Sequence, residues 1–211
     1  MIRILIVDDH AIFRAGLKQV LSDERDMQVV AEAGTAREAI QIARQTDADV
    51  LLLDIAMPDQ TGLEVLHSVK QERPGLPILI LSMYPENQYG IRMLKAGAAG
   101  YLTKESAPDQ LVVAIRKVTA GGRYVSTGLA EELAARLCTE EPDKPRHDRL
   151  SNREFQTFCM IARGKTSAEI AQELAVSIKT IATYRARIME KMGMSRIADI
   201  VNYALRHRLL D

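Results

Sequence analysis

Five times in the first 120 residues, a short apolar run rich in β-branched residues gives way to a longer stretch with helical spacing. Ile2–Val7, Gln28–Ala31, Val50–Leu53, Ile78–Leu81 and Gly100–Leu102 read as buried strands. Ile12–Leu21, Ala36–Arg44, Leu63–Lys70, Gln88–Lys95 and Pro108–Ala120 follow them in turn as helices. In the last, Leu111, Ile115 and Val118 keep helical spacing behind Pro108, which suits a first turn. Strands separated by helices pair in parallel through right-handed crossovers, with helices on both faces of the sheet. The expected fold is α/β: a doubly wound, five-stranded parallel sheet with a second, smaller all-α domain.

Gly121-Gly122 closes the first domain, placed at 1–122. A linker is expected over 123–148, with a short helix near Leu129–Leu137 and then Thr139–Asp148, a polar stretch with two prolines that reads as a flexible tether. From 149 to 211 the pattern is wholly helical, and a domain of that size must be compact to be stable. The net charge of zero hides an asymmetry. Residues 1–145 carry 16 Lys and Arg against 21 Asp and Glu, a net of −5, and residues 146–211 carry 12 against 7, a net of +5. An acidic front joined to a basic tail fits a sensor for a cation or phosphoryl group fused to a binder of polyanions. Cys138 and Cys159 lack metal-ligand spacing and read as reduced thiols. No stretch approaches the roughly 20 apolar residues of a membrane helix, and the apolar N-terminal run ends too early for a signal peptide. The expectation is a cytoplasmic protein without a membrane partner.

Open parallel sheets bind their ligands at the carboxyl ends of the strands. The first strand ends in Asp8-Asp9, the third in Asp54 and the fourth in Ser82, while Lys104 follows the fifth. Three neighbouring carboxylates repel one another unless a cation joins them, and oxygen-only ligands suit Mg²⁺. A carboxylate can act as a nucleophile and accept a phosphoryl group, a transfer that needs positioning and charge neutralisation above all. Lys104 can pair with one phosphoryl oxygen and Ser82 can hydrogen-bond another. Singly, each residue has a plain structural role, such as Asp9 capping the helix that follows it. Their convergence at strand ends carries the reading.

Val-Asp-Asp-His at 7–10, Leu-Asp-Ile-Ala-Met-Pro-Asp-Gln-Thr-Gly at 53–62, Leu-Ser-Met at 81–83 and Lys-Ala-Gly-Ala-Ala-Gly-Tyr-Leu-Thr-Lys at 95–104 resemble the receiver domain of bacterial response regulators. The resemblance implies that Asp54 accepts a phosphoryl group from the phosphohistidine of a sensor kinase. It further implies that Asp9, Asp54 and the Ala56 carbonyl ligate Mg²⁺, with Asp8 acting mainly through water, and that Met57-Pro58 and Gly62 shape the acceptor loop. Ser82 and Tyr101 match the family's switch pair, in which a hydroxyl drawn to the phosphoryl group moves a loop and frees space for an aromatic ring. Glu105 stands where many receivers have Pro.

In the tail, Ser151 and Glu154 form a capping-box pattern, and Phe155, Phe158, Cys159 and Ala162 share one face of a helix ended by Gly164. Ala168–Leu174 reads as a second short helix, Ala175-Val176 as a tight turn, and Ser177 as the cap of a third helix running to about Met192. This is a helix-turn-helix arrangement. Ile181, Ile188 and Met192 should point inward; Lys179, Thr183, Ala186, Arg187 and Glu190 lie opposite, with Ala182 at the border. Small residues flanked by bases let a helix settle into a major groove, and Lys165, Arg185, Arg187 and Lys191 suit phosphates. Leu150-Ser-x-Arg-Glu154, Glu169-Ile-Ala-x-x-Leu174, Val176-Ser177, Thr180-Ile181 and Ile188-x-x-Lys191-Met192 resemble the LuxR-type helix-turn-helix. Receiver plus this module is similar to the NarL/FixJ class, and Thr-Tyr-Arg at 183–185 leans toward its GacA-like subgroup. The expected DNA-contacting set is Lys165, Lys179, Thr180, Ala182, Thr183, Tyr184, Arg185, Arg187 and Lys191. Ala182 and Tyr184 depart from the Lys and His usual there, so the operator is not implied. A last helix near Ile197–Leu205 is expected to pair two subunits on DNA.

The leading expectation is thus a transcription regulator, homodimeric when phosphorylated, and not a turnover enzyme. An aspartate-nucleophile phosphatase would need a second carboxylate two residues after Asp54, where Ala56 stands. A constitutive DNA binder whose receiver only dimerises is the remaining alternative.

Overall fold

The computed structural model describes residues 1–57, 62–106, 108–138, 145–207 and 209–210, apart from the side chains of 135–138. Pro58 and the tether residues 139–144 lie outside the described residues. The chain divides into two compact units, 1–136 and 137–211.

The first unit holds β1 (Ile2–Val7), β2 (Met27–Ala33), β3 (Val50–Asp54), β4 (Ile78–Ser82) and β5 (Gly100–Thr103) in one parallel sheet of order β2-β1-β3-β4-β5. The intervening helices are α1 (Ala11–Ser22), α2 (Ala36–Gln45), α3 (Gly62–Glu72), α4 (Glu86–Lys95) and α5 (Pro108–Thr119). Both faces of the sheet are covered, so successive residues of β3, and of β1 from Ile4 on, which point in opposite directions, are all buried. Ile4, Ile6, Val50, Leu52, Leu79 and Leu81 pack with Leu17 and Leu21 of α1 and Leu111, Ile115 and Val118 of α5. Edge strand β2 is only partly buried and bulges, since Ile4 pairs with Val29 but Leu5 with Ala31.

The segment after Gly122 is packed onto this unit. The Tyr124 amide donates to the Ala99 carbonyl at 2.9 Å, and Leu129 of α6 (Thr127–Cys138) is buried. Glycines permit both approaches: a Cβ on Gly100 would stand 2.7 Å from the Tyr124 carbonyl oxygen, and one on Gly90 would stand 2.8 Å from Leu129.

The second unit contains α7 (Asn152–Ala162), α8 (Ser167–Glu173), α9 (Ile178–Met192) and α10 (Ile197–Arg206). Ser151 caps α7 in a capping box with Glu154, as the sequence indicates, and Thr166 and Glu169 form a second box at α8. Ala175 has φ 52° in the turn before Ser177 caps α9, and Gly193 ends α9 at φ 62°. Phe155, Phe158, Ile170, Ile181, Ile188, Met192 and Ile200 form the core. The expected tether is corrected at its end. Arg146–Arg149 form a 3-10 turn whose His147 is buried, with Nδ1 3.0 Å from the Tyr203 hydroxyl and its ring beside Phe155. An imidazole lodged among aromatic rings holds that segment to the domain.

Candidate functional site

In strand order 2-1-3-4-5 the chain reverses its winding direction between β1 and β3, leaving a crevice at their carboxyl ends. Asp8 and Asp9 follow β1 and Asp54 closes β3, so the topology alone brings them together. Lys104, just after β5, reaches back: its Nζ lies 2.6 Å from Asp8 Oδ2 and 2.7 Å from Asp54 Oδ2, and 4.6 Å from the centre of the Phe13 ring. A backbone bond from the Lys104 amide to the Ser82 carbonyl at 2.7 Å fixes this reach. Asp8 and Asp54 are each 1% exposed, and Asp54 Oδ1 accepts the Ala56 amide at 3.0 Å. Burial pushes the Asp54 carboxyl above the usual aspartate range, against the pull of Lys104 and the Ala56 bond.

His10 joins this group although the sequence reading gave it no role. Its Nδ1 lies 2.7 Å from Asp9 Oδ1 and 3.2 Å from Asp8 Oδ1, and its amide donates to Asp8 Oδ1 at 2.8 Å. Asp9 is not the cap considered for it, because His10 itself is the N-cap of α1, and the His10 side chain makes no capping bond. Arg14 is a second addition, its guanidinium donating to the Asp8 carbonyl. Neither could be weighed from sequence spacing, since both depend on how α1 leaves the sheet. Asp8, Asp9, His10 and Asp54 each offer a ligand atom within 4.8 Å of the others. Three carboxylates against one ammonium leave surplus negative charge, and hard oxygen donors suit a divalent cation such as Mg²⁺. The donor set fits.

Ser82 and Tyr101 are both fully buried and meet through the backbone of one residue, Tyr84. The Tyr84 amide donates to Ser82 Oγ at 3.0 Å, and the Tyr101 hydroxyl donates to the Tyr84 carbonyl at 2.7 Å. Burial raises the Tyr101 phenol well above its ordinary range, so it stays a donor. Gly62 lies under the acceptor: a Cβ there would come 2.4 Å from the Ile55 Cα and 2.9 Å from the Asp54 carbonyl oxygen.

In the second unit, α9 turns Ile181, Ile188 and Met192 inward and leaves Lys179, Ala182, Thr183, Arg185 and Arg187 exposed. Tyr184 and Thr180 are half-buried, and the Thr180 hydroxyl sits 2.8 Å from Ser177 Oγ within the cap. Lys165 is paired with Glu173. Lys191 Nζ lies 2.6 Å from Glu154 Oε2, so its charge is engaged inside the domain. Ile178, 58% exposed at the start of α9, was not singled out from the sequence; with Ala182 one turn on it offers an apolar contact of the kind that meets a thymine methyl.

Glu154 is buried, accepts the Ser151 amide at 2.7 Å and faces Lys191. Burial alone would raise its carboxyl, but the bonds from Lys191 and Ser151 together hold it below the usual glutamate range. A depressed folded-state pKa stabilises above the unfolded value, near 4.3, and that stability is lost as pH falls through the folded value. Glu154→Gln is therefore expected to cost the second unit about 1–3 kcal/mol at neutral pH. It should also flatten the fall in melting temperature on acidification, as read by calorimetry of the full chain.

Comparison with known proteins matches residues 4–116 to the response regulator receiver domain and residues 148–204 to the bacterial regulatory proteins of the luxR family. The response regulator GacA of Pseudomonas aeruginosa is 36% identical over 211 residues, covering 100% of this chain and 99% of that protein. The response regulator UvrY of Escherichia coli is 35% identical, covering 100% of this chain and 97% of that one. Among solved structures, RcsB of Salmonella enterica serovar Typhimurium, bound to a promoter in the presence of a beryllofluoride phosphomimetic, aligns with TM-score 0.65 at 27% identity. That alignment covers 96% of this chain and 97% of RcsB. A LuxR-family two-component response regulator from Aurantimonas aligns with TM-score 0.61 at 35% identity, over 66% of this chain and 99% of that one.

Proposed function

The chain belongs to the response regulators that join a receiver domain to a LuxR-type DNA-binding domain, and from this we propose that Asp54 is its phosphoacceptor and the trigger for DNA binding. One observation carries the proposal: Lys104 reaches both Asp54 and Asp8 at the crevice where Asp9 completes the acidic set. A histidine kinase is the donor. An Asp54 carboxylate oxygen forms the P–O bond as the donor's P–N bond breaks, and the imidazole leaves. Asp9, Asp54 and the Ala56 carbonyl would hold Mg²⁺, with Asp8 acting through water; the ion supplies charge neutralisation to the phosphoryl oxygens. Lys104 supplies the matching positive charge from the protein, after letting go of one carboxylate. Ser82 Oγ turns toward the phosphoryl group, gives up the Tyr84 amide, and so disturbs the residue whose carbonyl also holds Tyr101. The two residues thereby act as one switch on the loop after β4. The chemistry ends with the modified aspartate, so the protein is a switch and not a turnover enzyme.

The reader is the exposed face of α9. Lys179, Ala182, Thr183, Tyr184, Arg185 and Arg187 face the major groove or its flanking phosphates, Thr180 supports the helix start, and Lys165 and Lys191 add positive charge to the phosphate side once released from their internal partners. Phosphorylation promotes a homodimer, which gains from binding two half-sites at once. RcsB, solved bound to a promoter in the presence of a phosphomimetic and as two dimers on two DNAs, supports DNA and a second copy of the chain as partners.

Solution mass and operator affinity, measured with and without beryllofluoride and Mg²⁺, test the reading. The expected outcome is a shift from monomer toward dimer and tenfold or greater tightening on DNA, about 1.4 kcal/mol or more. Identical affinity in both states would instead identify a constitutive binder whose receiver serves only to dimerise.

A further inference from the structure

At the opposite end of the sheet from Asp54, the amino ends of β3, β4 and β5 and the close of α5 surround a cleft of about 450 Å³. Lys70, Arg73 and Arg123 line it, together with Gly75, Gly97 and Gly121. The Lys70 stem passes Gly97, its Cγ 3.9 Å from where a Cβ would be, and its Nζ donates to the carbonyls of Leu76 at 2.8 Å and Pro74 at 3.2 Å. One ammonium hydrogen remains. Arg123 donates to the Ala98 carbonyl at 3.3 Å and keeps most of its fork open. Among the described residues neither cation has a carboxylate partner, whereas Asp49 beside them is neutralised by Arg3 at 2.9 Å and Arg73 has Asp47 at 3.9 Å. Gly75 and Gly121 have no atom within 4 Å of a built Cβ, so the mouth is open.

We propose that this cleft is a binding site for a phosphate group, held by Lys70 and Arg123. Two unanswered cations match the charge of roughly −1.5 to −2 that a phosphate monoester carries at neutral pH, and a guanidinium fork suits its oxygens. Burial, and next the charge of Arg123, hold the Lys70 ammonium below the usual lysine range, a cost that a bound anion relieves. The site is independent of phosphorylation, since no part of it touches the Asp54 crevice. It gives the receiver a second anion-sensing surface, at the end of the sheet that the phosphoacceptor does not use.

Amide-resolved NMR titration of the full chain, without Mg²⁺ and at constant ionic strength, tests this with inorganic phosphate in one arm and ADP in the other. Saturable shifts are expected at Gly97, Gly121, Gly122 and Arg123. Arg123→Gln should weaken binding at least tenfold, and Arg123→Lys should restore part of it. Arg123 is exposed, so neither variant threatens the fold. Tenfold tighter binding of ADP would assign the phosphate to a nucleotide tail, and equal or weaker binding to the free oxyanion. Shifts that are absent, unsaturable or confined to the Asp54 end would overturn the proposal and leave Lys70 and Arg123 as caps for backbone carbonyls.

Discussion

Asp54→Asn is expected to take up no phosphoryl group from a small-molecule donor with Mg²⁺, where the unaltered chain gains a single phosphoryl increment in intact mass. The amide keeps the size of the side chain and the hydrogen bond from Ala56, but it removes the nucleophile. It also removes the charge that Lys104 faces at 2.7 Å, leaving that ammonium, 4% exposed, with Asp8 as its remaining close acidic partner. Folding should survive, because Lys104 keeps that pairing. Uptake should fall to the background seen without donor, the largest effect any single substitution here can have. Persistent labelling of the variant would move the acceptor to another residue.

Gly62→Ala should impair the same reaction without touching any reacting group. A Cβ at this position meets the backbone of Ile55 at 2.4 Å and the Asp54 carbonyl oxygen at 2.9 Å, both too close to be relieved by rotating a side chain. Either α3 backs away from the sheet or the end of β3 shifts, and the Gly62 amide bond to the Ile55 carbonyl, 3.4 Å long, has little to resist with. Overpacking of this kind costs about 1–3 kcal/mol of stability. Displacement of a reacting group by about 1 Å can lower a rate by about 100-fold. Paired measurements of melting temperature and phosphorylation rate should show a modest loss in the first and about a 100-fold loss in the second. A rate close to that of the unaltered chain would mean that the acceptor loop absorbs the methyl group.

The sheet was legible because strand and helix periods differ and because buried strands here are almost purely apolar. Asp8, Asp9, Asp54 and Lys104 could be brought together before any coordinates, since parallel topology sends every strand's carboxyl end to one edge. The edge strand was read short, at 28–31 against the observed 27–33, and at its carboxyl end the exposed Glu32 breaks the apolar run. Other features depend on partners far along the chain. His147 is buried by Tyr203, 56 residues away, so nothing in its polar, proline-flanked surroundings marks it as ordered. Lys191 reads from the sequence as suited to a phosphate, but nothing near it could show that Glu154, 37 residues earlier, claims its charge. His10 sits within the motif that identified the site, yet its closeness to both Asp8 and Asp9 follows from the geometry of the β1–α1 turn.

Mapping the modified residue tests the account most directly. The full chain would be phosphorylated, reduced with borohydride to mark any acyl phosphate, digested and sequenced by mass spectrometry, in parallel samples with Mg²⁺ and with a chelator. The account predicts the mark on Asp54, and only where Mg²⁺ is present. A mark on another carboxylate, or equal marking under chelation, would contradict it.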